Sequence, residues 1–320
     1  MRGHPAWYGA VMGTGAVALA LSVQALTWEV QWLDWAAKAF LVLASVLAVA
    51  LLPRYVRRFR DRAALLAEVG DPAHGAMLAT LPAGLLILAT AWGRVGWQPL
   101  GLWVDAVLLV VGVLVALVLG LWWSSSMLRG QQGLEGVNGG WLIPPVMNLI
   151  VPLALAPLII KFPGPVLPII GFMFYGIGVF LFLSMLTLLI ARLALRPPLP
   201  AAMAPSMWIP LAPAGVVGLA LLQLLKATGA DPAPGVVVAA MGLGFGLWWA
   251  AFAWLELRRS RPPLHPGWWG FVFPVAAMTL SWANVALASG VVGLQVVGAL
   301  ATAVLLGVWG LVGVRTVRLG

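Results

Sequence analysis

The chain is written as ten successive runs of apolar residues parted by short polar gaps. Each run approaches the roughly 20 residues that a helix needs to cross a hydrocarbon core about 30 Å thick. The runs cover 5–26, 35–52, 75–92, 103–124, 139–160, 166–191, 204–226, 232–255, 267–288 and 291–314. Only 8% of the residues are charged and 62% are hydrophobic, whereas a soluble domain carries about 25% charged residues. Too little polar material remains to build a surface facing water. The implied fold class is all-α integral membrane, ten transmembrane helices in a single domain over residues 1–320, with no room for a separate soluble part.

The charges that remain are informative by position. Of the eighteen basic residues, only Lys38, Arg94, Lys161 and Lys226 fall in gaps of one parity; the others, including the group Arg54, Arg57, Arg58, Arg60 and Arg62, fall in gaps of the other parity or at the ends. Positive residues favour the cytoplasmic side, so both termini are expected in the cytoplasm, as an even number of spans requires. The expected location is the cell's inner (plasma) membrane, and the net charge of +9 is read as topology and contact with anionic lipid headgroups, with no nucleic-acid partner. Trp28, Trp32, Trp92, Trp97 and Trp103 stand near predicted interfaces, as belt anchors do. The first run has the apolar character of a signal peptide, but its length and likeness to later spans predict that it stays. With no cysteine, disulfides, thiolate metal sites and cysteine nucleophiles are excluded.

A second pattern overlies the first. The odd-numbered runs begin 60 to 70 residues apart, so the repeat is a helical hairpin used five times. The odd runs open on breakers such as Asn138-Gly139-Gly140 and His265-Pro266-Gly267, and carry more inside: Gly13 and Gly15, Pro82, Pro144 with Pro145 and Pro152, Pro210 with Pro213, and Pro274. Even runs 2, 4 and 10 have no proline within these bounds, run 8 has Pro232 and Pro234 at its very entry, and run 6 has only Pro168. A proline removes a backbone hydrogen bond, and in hydrocarbon the freed carbonyl must be satisfied by protein or water. Five broken helices alternating with intact ones therefore predict an inner ring of kinked odd helices around a central pore and an outer ring of even helices against lipid. Any single proline is explained as readily by packing; the pattern over five repeats is what points to a pathway.

The polar residues expected on that pathway are Thr14, Thr80, Asn148 and Thr279. The odd runs hold no Asp, Glu, Lys, Arg or His at mid-depth, which argues against proton pumping and against an acidic cation filter. Hydroxyls, amide N–H groups and helix-end dipoles in such a pore favour an anion, although a neutral pore also passes small neutral solutes. Phe273, directly before Pro274, reads first as a packing residue and second as an apolar gate. Met12-Gly13-Thr14-Gly15 is no nucleotide loop, since no strand precedes it; Gly9 and Gly13, four apart, instead suit a close helix contact. His4, His74 and His265 all fall at predicted cytoplasmic entrances, where headgroup-level residues are the plain reading and a pH-sensitive vestibule the sharper one. No metal site, no cofactor, no paired carboxylates and no nucleophile–base pair are indicated, so no enzyme is expected.

Pro5-Ala6-Trp7-Tyr8-Gly9-Ala10-Val11-Met12-Gly13-Thr14-Gly15 in the first run, Trp268-Trp269-Gly270-Phe271-Val272-Phe273-Pro274 in the ninth, and the ten-helix plan over nearly the whole chain resemble the tellurite-resistance/dicarboxylate transporter family. That family includes bacterial tellurite-resistance proteins, fungal malate and sulfite transporters and the plant slow anion channels. The resemblance implies a homotrimer with a separate pore in each protomer, formed by five kinked inner helices. It also implies that the aromatic residue of the ninth helix, here Phe273, occludes the pore. The long cytoplasmic tails through which the plant channels are controlled by phosphorylation have no counterpart here, so kinase gating is not expected. Function is thus expected to be an anion channel or uniporter for small inorganic or organic anions (chloride, nitrate, sulfite, tellurite or a C4-dicarboxylate), with a proton-coupled dicarboxylate or sulfite exporter as the alternative.

Overall fold

The computed structural model describes residues 5–72, 74–129, 133–260 and 266–317, and among these there is no strand. Eleven α-helices follow one another: α1 (Tyr8–Trp28), α2 (Gln31–Val56), α3 (Arg62–Gly70), α4 (Thr80–Val95), α5 (Leu100–Met127), α6 (Ile143–Lys161), α7 (Val166–Leu195), α8 (Leu211–Ala227), α9 (Ala233–Ser260), α10 (Trp269–Ser289) and α11 (Val292–Val317). All but α3 belong to one of the ten segments long and apolar enough to cross a membrane. The predicted spans are recovered in number and order.

Two families of helix emerge from burial alone. In the spans built on α1, α4, α6, α8 and α10, 67–89% of the central window is buried, against 17–33% for α2, α5, α7, α9 and α11. Even residues such as Ala16, Ile87, Leu149 and Ile150 are almost wholly enclosed by protein, whereas α5 and α7 present Val107, Leu114, Leu121 and Phe180 outward. In the buried family α1 packs on α4, α4 on α6, α6 on α8, α8 on α10, and α10 returns to α1. Each exposed helix lies against the buried helix that precedes it, as α2 does on α1 and α9 on α8. The reversals are short: α1 and α10 end in the left-handed residues Glu29 (φ 54°) and Gly290 (φ 66°), and the chain turns directly into α2 and α11.

The breaks expected inside the odd runs take a particular form. Every buried helix is led into by a 3₁₀ segment: Pro5–Trp7, Gly75–Ala79, Gly139–Leu142, Ala201–Trp208 and Pro266–Trp268. Pro144 and Pro145 lie in the first turn of α6, Pro82 in the first turn of α4, Pro210 caps α8 and Pro213 lies in its first turn. The first four N–H groups of an α-helix have no intrahelical partner, so these prolines mark where 3₁₀ becomes α and do not kink an established helix. Pro152 and Pro157 inside α6 and Pro274 inside α10 are the exceptions; Pro274 lies deep enough to deprive the Gly270 carbonyl of its i+4 donor. Gly13 and Gly15 are not kinks either. A Cβ on Gly13 would press into Val272 of α10, and one on Gly15 into Ile87 of α4; they let helices approach, as the spacing of Gly9 and Gly13 suggested.

Backbone groups of the 3₁₀ segments are met by side chains, as a low-dielectric setting demands. Tyr55 on α2 donates its hydroxyl to the Leu78 carbonyl at 2.5 Å, and the Trp249 indole on α9 donates to the Met207 carbonyl at 2.8 Å. Asn138 accepts from the Gly140 N–H at 2.8 Å and donates to the Pro72 carbonyl at 2.8 Å. Two features were not anticipated. The exposed helices run past the predicted bounds, so that α2 takes in Pro53 in its last turn. The arginine-rich gap after α2 folds into the short amphipathic α3, which buries Leu65 and Val69 and is tied back by an ion pair between Arg58 and Glu68.

Candidate functional site

Two cavities lie at opposite ends of the same five buried helices. The smaller, about 50 Å³, is bordered by Met12 of α1, Thr80 of α4, Val146 of α6, Ala212 of α8, and Phe273 and Pro274 of α10. The larger, about 760 Å³, is bordered by Ser22 of α1, Thr90 and Arg94 of α4, Leu153 of α6, Gln223 and Lys226 of α8 and Asn284 of α10. Along each helix the two sets stand two to three turns apart, roughly 10–15 Å at 1.5 Å per residue. The turns between carry mostly apolar side chains among their enclosed residues, such as Ala16, Ile87, Ile150, Val216 and Ala277, with Thr14, Asn148 and Thr279 as buried polar members.

The small cavity is at the end where α2, α5 and α9 finish and where Arg54, Arg57, Arg258 and Arg315 gather. Phe273 is 4% exposed, and its ring is one wall of a space with room for a few water molecules and for no hydrated ion. Gly270, whose carbonyl Pro274 leaves without its i+4 donor, also lines that space. Thr80 also borders it, its hydroxyl donating to the Met77 carbonyl at 2.8 Å.

The other expected polar residues face elsewhere. Thr14 accepts a hydrogen bond from the Trp309 indole of α11 at 3.0 Å, and Thr279 donates to the Ala301 carbonyl of α11 at 3.4 Å. Both hydroxyls join a buried helix to its exposed neighbour and border neither cavity. Asn148 donates to the Pro144 carbonyl one turn back at 2.8 Å, satisfying the 3₁₀-to-α junction of α6. Of the four, Thr80 alone borders either of these two cavities. His74 is exposed and caps its own loop through Asp71; His4 and His265 lie outside the described residues.

The larger cavity holds what sequence reasoning missed. Arg94, assigned to a gap, sits in the last turn of α4 and donates to Gln223 at 2.7 Å. Gln223 donates to the Asn284 side-chain oxygen at 2.8 Å, and Asn284 donates to the Leu280 carbonyl at 2.9 Å. This chain spans α4, α8 and α10 and presents a guanidinium at the cavity floor, with Lys226 beside it. A neighbouring cavity of about 720 Å³ shares Arg94, Gln223 and Lys226 and adds Lys161 of α6. Basic groups at a concave, low-dielectric mouth raise the local anion concentration. Glu29 and Asp34 stand at the outer rim, and Asp34 is paired with Lys38 at 2.7 Å. Arg94, Gln223 and Asn284 all stand near span ends, which was the signal available for them; nothing in the spacing said that they converge.

Ten spanning helices, five of them enclosed and bordering two opposed cavities, define a multi-pass membrane transport protein. The chain belongs to the voltage-dependent anion channel family, which it matches over residues 2–317. It is similar to an uncharacterized transporter of Methanocaldococcus jannaschii, 29% identical across 87% of this chain and 82% of the relative. It is also similar to a sulfite efflux pump of Arthroderma otae, 28% identical across 98% of this chain and 90% of the relative. Such proteins are channels and transporters rather than enzymes, and transport of small anions is the function the chain shares with them. The resemblance carried by the first and ninth spans is thereby shown for the chain as a whole.

Proposed function

We propose that the five buried helices form an inner ring around an anion pore that Phe273 closes, and that anions move through it passively, down the membrane potential and their own gradient. The observation that carries this reading is the pair of cavities at opposite ends of one set of helices, parted by turns without a charged side chain, with Phe273 walling the narrow one. A bulky ring in a dry constriction blocks an ion both sterically and by excluding its hydration water. Anions are favoured because the wide mouth carries Arg94 and Lys226 and those turns carry no acid. The narrow, arginine-rich end faces the cytoplasm in this reading, with both termini there and the protein in the inner (plasma) membrane. The arginines of α2 and the following turn contact anionic headgroups, and three protomers with independent pores assemble, as the family resemblance implies. The relatives that are sulfite efflux pumps favour sulfite among the substrates to be tried beside chloride, nitrate, malate and tellurite.

The test is reconstitution in planar bilayers under asymmetric chloride. A small native current, a larger one for Phe273→Ala and a reversal potential near the chloride value are expected. Electroneutral uptake of sulfite or malate in liposomes with no current in either protein would replace the pore by a coupled carrier.

A further inference from the structure

Asp105, on the exposed helix α5, is the one acid among the described residues that is wholly buried, at 0% exposed, and both its oxygens are enclosed without a hydrogen-bond partner. Its carboxyl group presses on the backbone of Gly93, where any Cβ would collide with Oδ2 and also crowd Pro157 of α6. Gly93 and Pro157 are walls of the 720 Å³ cavity, so the carboxyl group stands one layer behind it. Glycine at 93 is the condition for this approach, and Gly93 immediately precedes Arg94.

A buried carboxylate with no partner costs several kcal/mol, far more than its neutral acid. Arg94 is the charge that acts on Asp105 most strongly, yet its guanidinium is spent on Gln223 at 2.7 Å. The other charged groups facing this region are Lys161 of α6 and Lys226 of α8. The charges of α3 are remote, since α3 meets α5 at its far end, with Gly70 beside Ser126. The arrangement is consistent for a neutral Asp105 and inconsistent for an ionised one unless Arg94 turns towards it.

We propose that Asp105 is a proton-binding site that sets the charge of the wide mouth by positioning Arg94. With the proton bound, Arg94 stays on the Gln223–Asn284 chain and its full charge faces the cavity. With the proton lost, the carboxylate draws and neutralises Arg94, the chain to Gln223 opens, and the mouth holds one positive charge fewer. Anion passage therefore rises as pH falls. One elementary charge within about 10 Å, at the effective dielectric of a protein, changes local anion occupancy by roughly tenfold.

This inference rests on the pore reading and is tested within it. Chloride current is recorded in the Phe273→Ala protein, alone and combined with Asp105→Asn, from mildly acidic to mildly alkaline pH on the wide-mouth side. The single variant is expected to lose roughly tenfold of its current across the titration, and the double variant to stay at the acid level throughout. The same pH profile with and without Asp105→Asn overturns the proton site and leaves the pore intact; absence of chloride current at every pH overturns the pore itself. Should Asp105→Asn not yield folded protein, Arg94→Gln in the same background carries the test. It is expected to give a low current without the pH response, and a retained response overturns the proposal.

Discussion

Phe273→Ala is the substitution for which the structure yields a magnitude. The ring is almost completely buried against residues of α1, α4, α6, α8 and α10, so in the proposed pore an ion passes only when the ring leaves that packing. Unburying a phenylalanine side chain costs about 1.5–3 kcal/mol, and each 1.4 kcal/mol in a barrier is about tenfold in rate. Truncation to alanine is therefore expected to raise single-channel or macroscopic chloride current by about one to two orders of magnitude. The same truncation leaves a cavity, and its usual cost of about 3–5 kcal/mol should appear as a lower melting temperature in detergent. Phe271→Ala is the control: that ring is also buried but packs on Trp208 and Trp268 at 5.6 and 5.2 Å between centroids and borders neither cavity. Equal currents for native and Phe273→Ala protein, both monodisperse and folded, would refute the argument, as would an equal rise for Phe271→Ala.

Other expectations follow from the same contacts. Thr14→Val removes the acceptor for the Trp309 indole and should lower stability by about 1–3 kcal/mol, the cost of an unsatisfied buried donor, while ion selectivity in bilayers stays unchanged. Gly218→Ala forces a Cβ into the Ala239 backbone of α9; overpacking of this kind costs about 1–3 kcal/mol, to be read as a fall in melting temperature. Arg94→Ala should weaken conductance at low chloride and much less at high chloride, because screening shortens the reach of the charge it removes. A conductance ratio independent of chloride concentration would show that Arg94 acts on shape rather than on charge.

The ten spans were legible because the bilayer imposes one length and one composition on every helix, and α5 or α7 satisfies that rule wherever its frame begins. The alternation of enclosed and exposed helices was legible from where Gly and Pro cluster. The facing of single residues was not. A helix such as α1 is enclosed on all sides, so no apolar stripe tells which flank of it meets α11, and Thr14 looked as suited to a cavity as to Trp309. Arg94 was hidden by a span end placed three residues before the helix ends at Val95, and Asp105 by the apolar run around it, Leu102-Trp103-Val104 before and Ala106-Val107 after. The prolines announced a break correctly, but a proline in a first turn and one in a helix interior carry the same letter; only the start of the α-helix separates Pro144 from Pro274. The amphipathic α3 went unread because arginines crowd its start and its apolar face is only two turns long.

The 3₁₀ lead-ins have a consequence for how the protein meets bilayers of different thickness. α4 has 16 residues and α8 has 17, about 24–26 Å of α-helix, short of a hydrocarbon core of about 30 Å. Five residues of 3₁₀ before α4, at about 2.0 Å each, add roughly 10 Å, so the tighter helix supplies reach that the α-helix lacks. The exposed helices α2, α5, α7, α9 and α11 run to 26–30 residues, long enough to tilt as the surrounding lipid thins or thickens. Hydrophobic mismatch is thus absorbed by the helices that touch lipid, while those bordering the cavities keep a length set by protein alone.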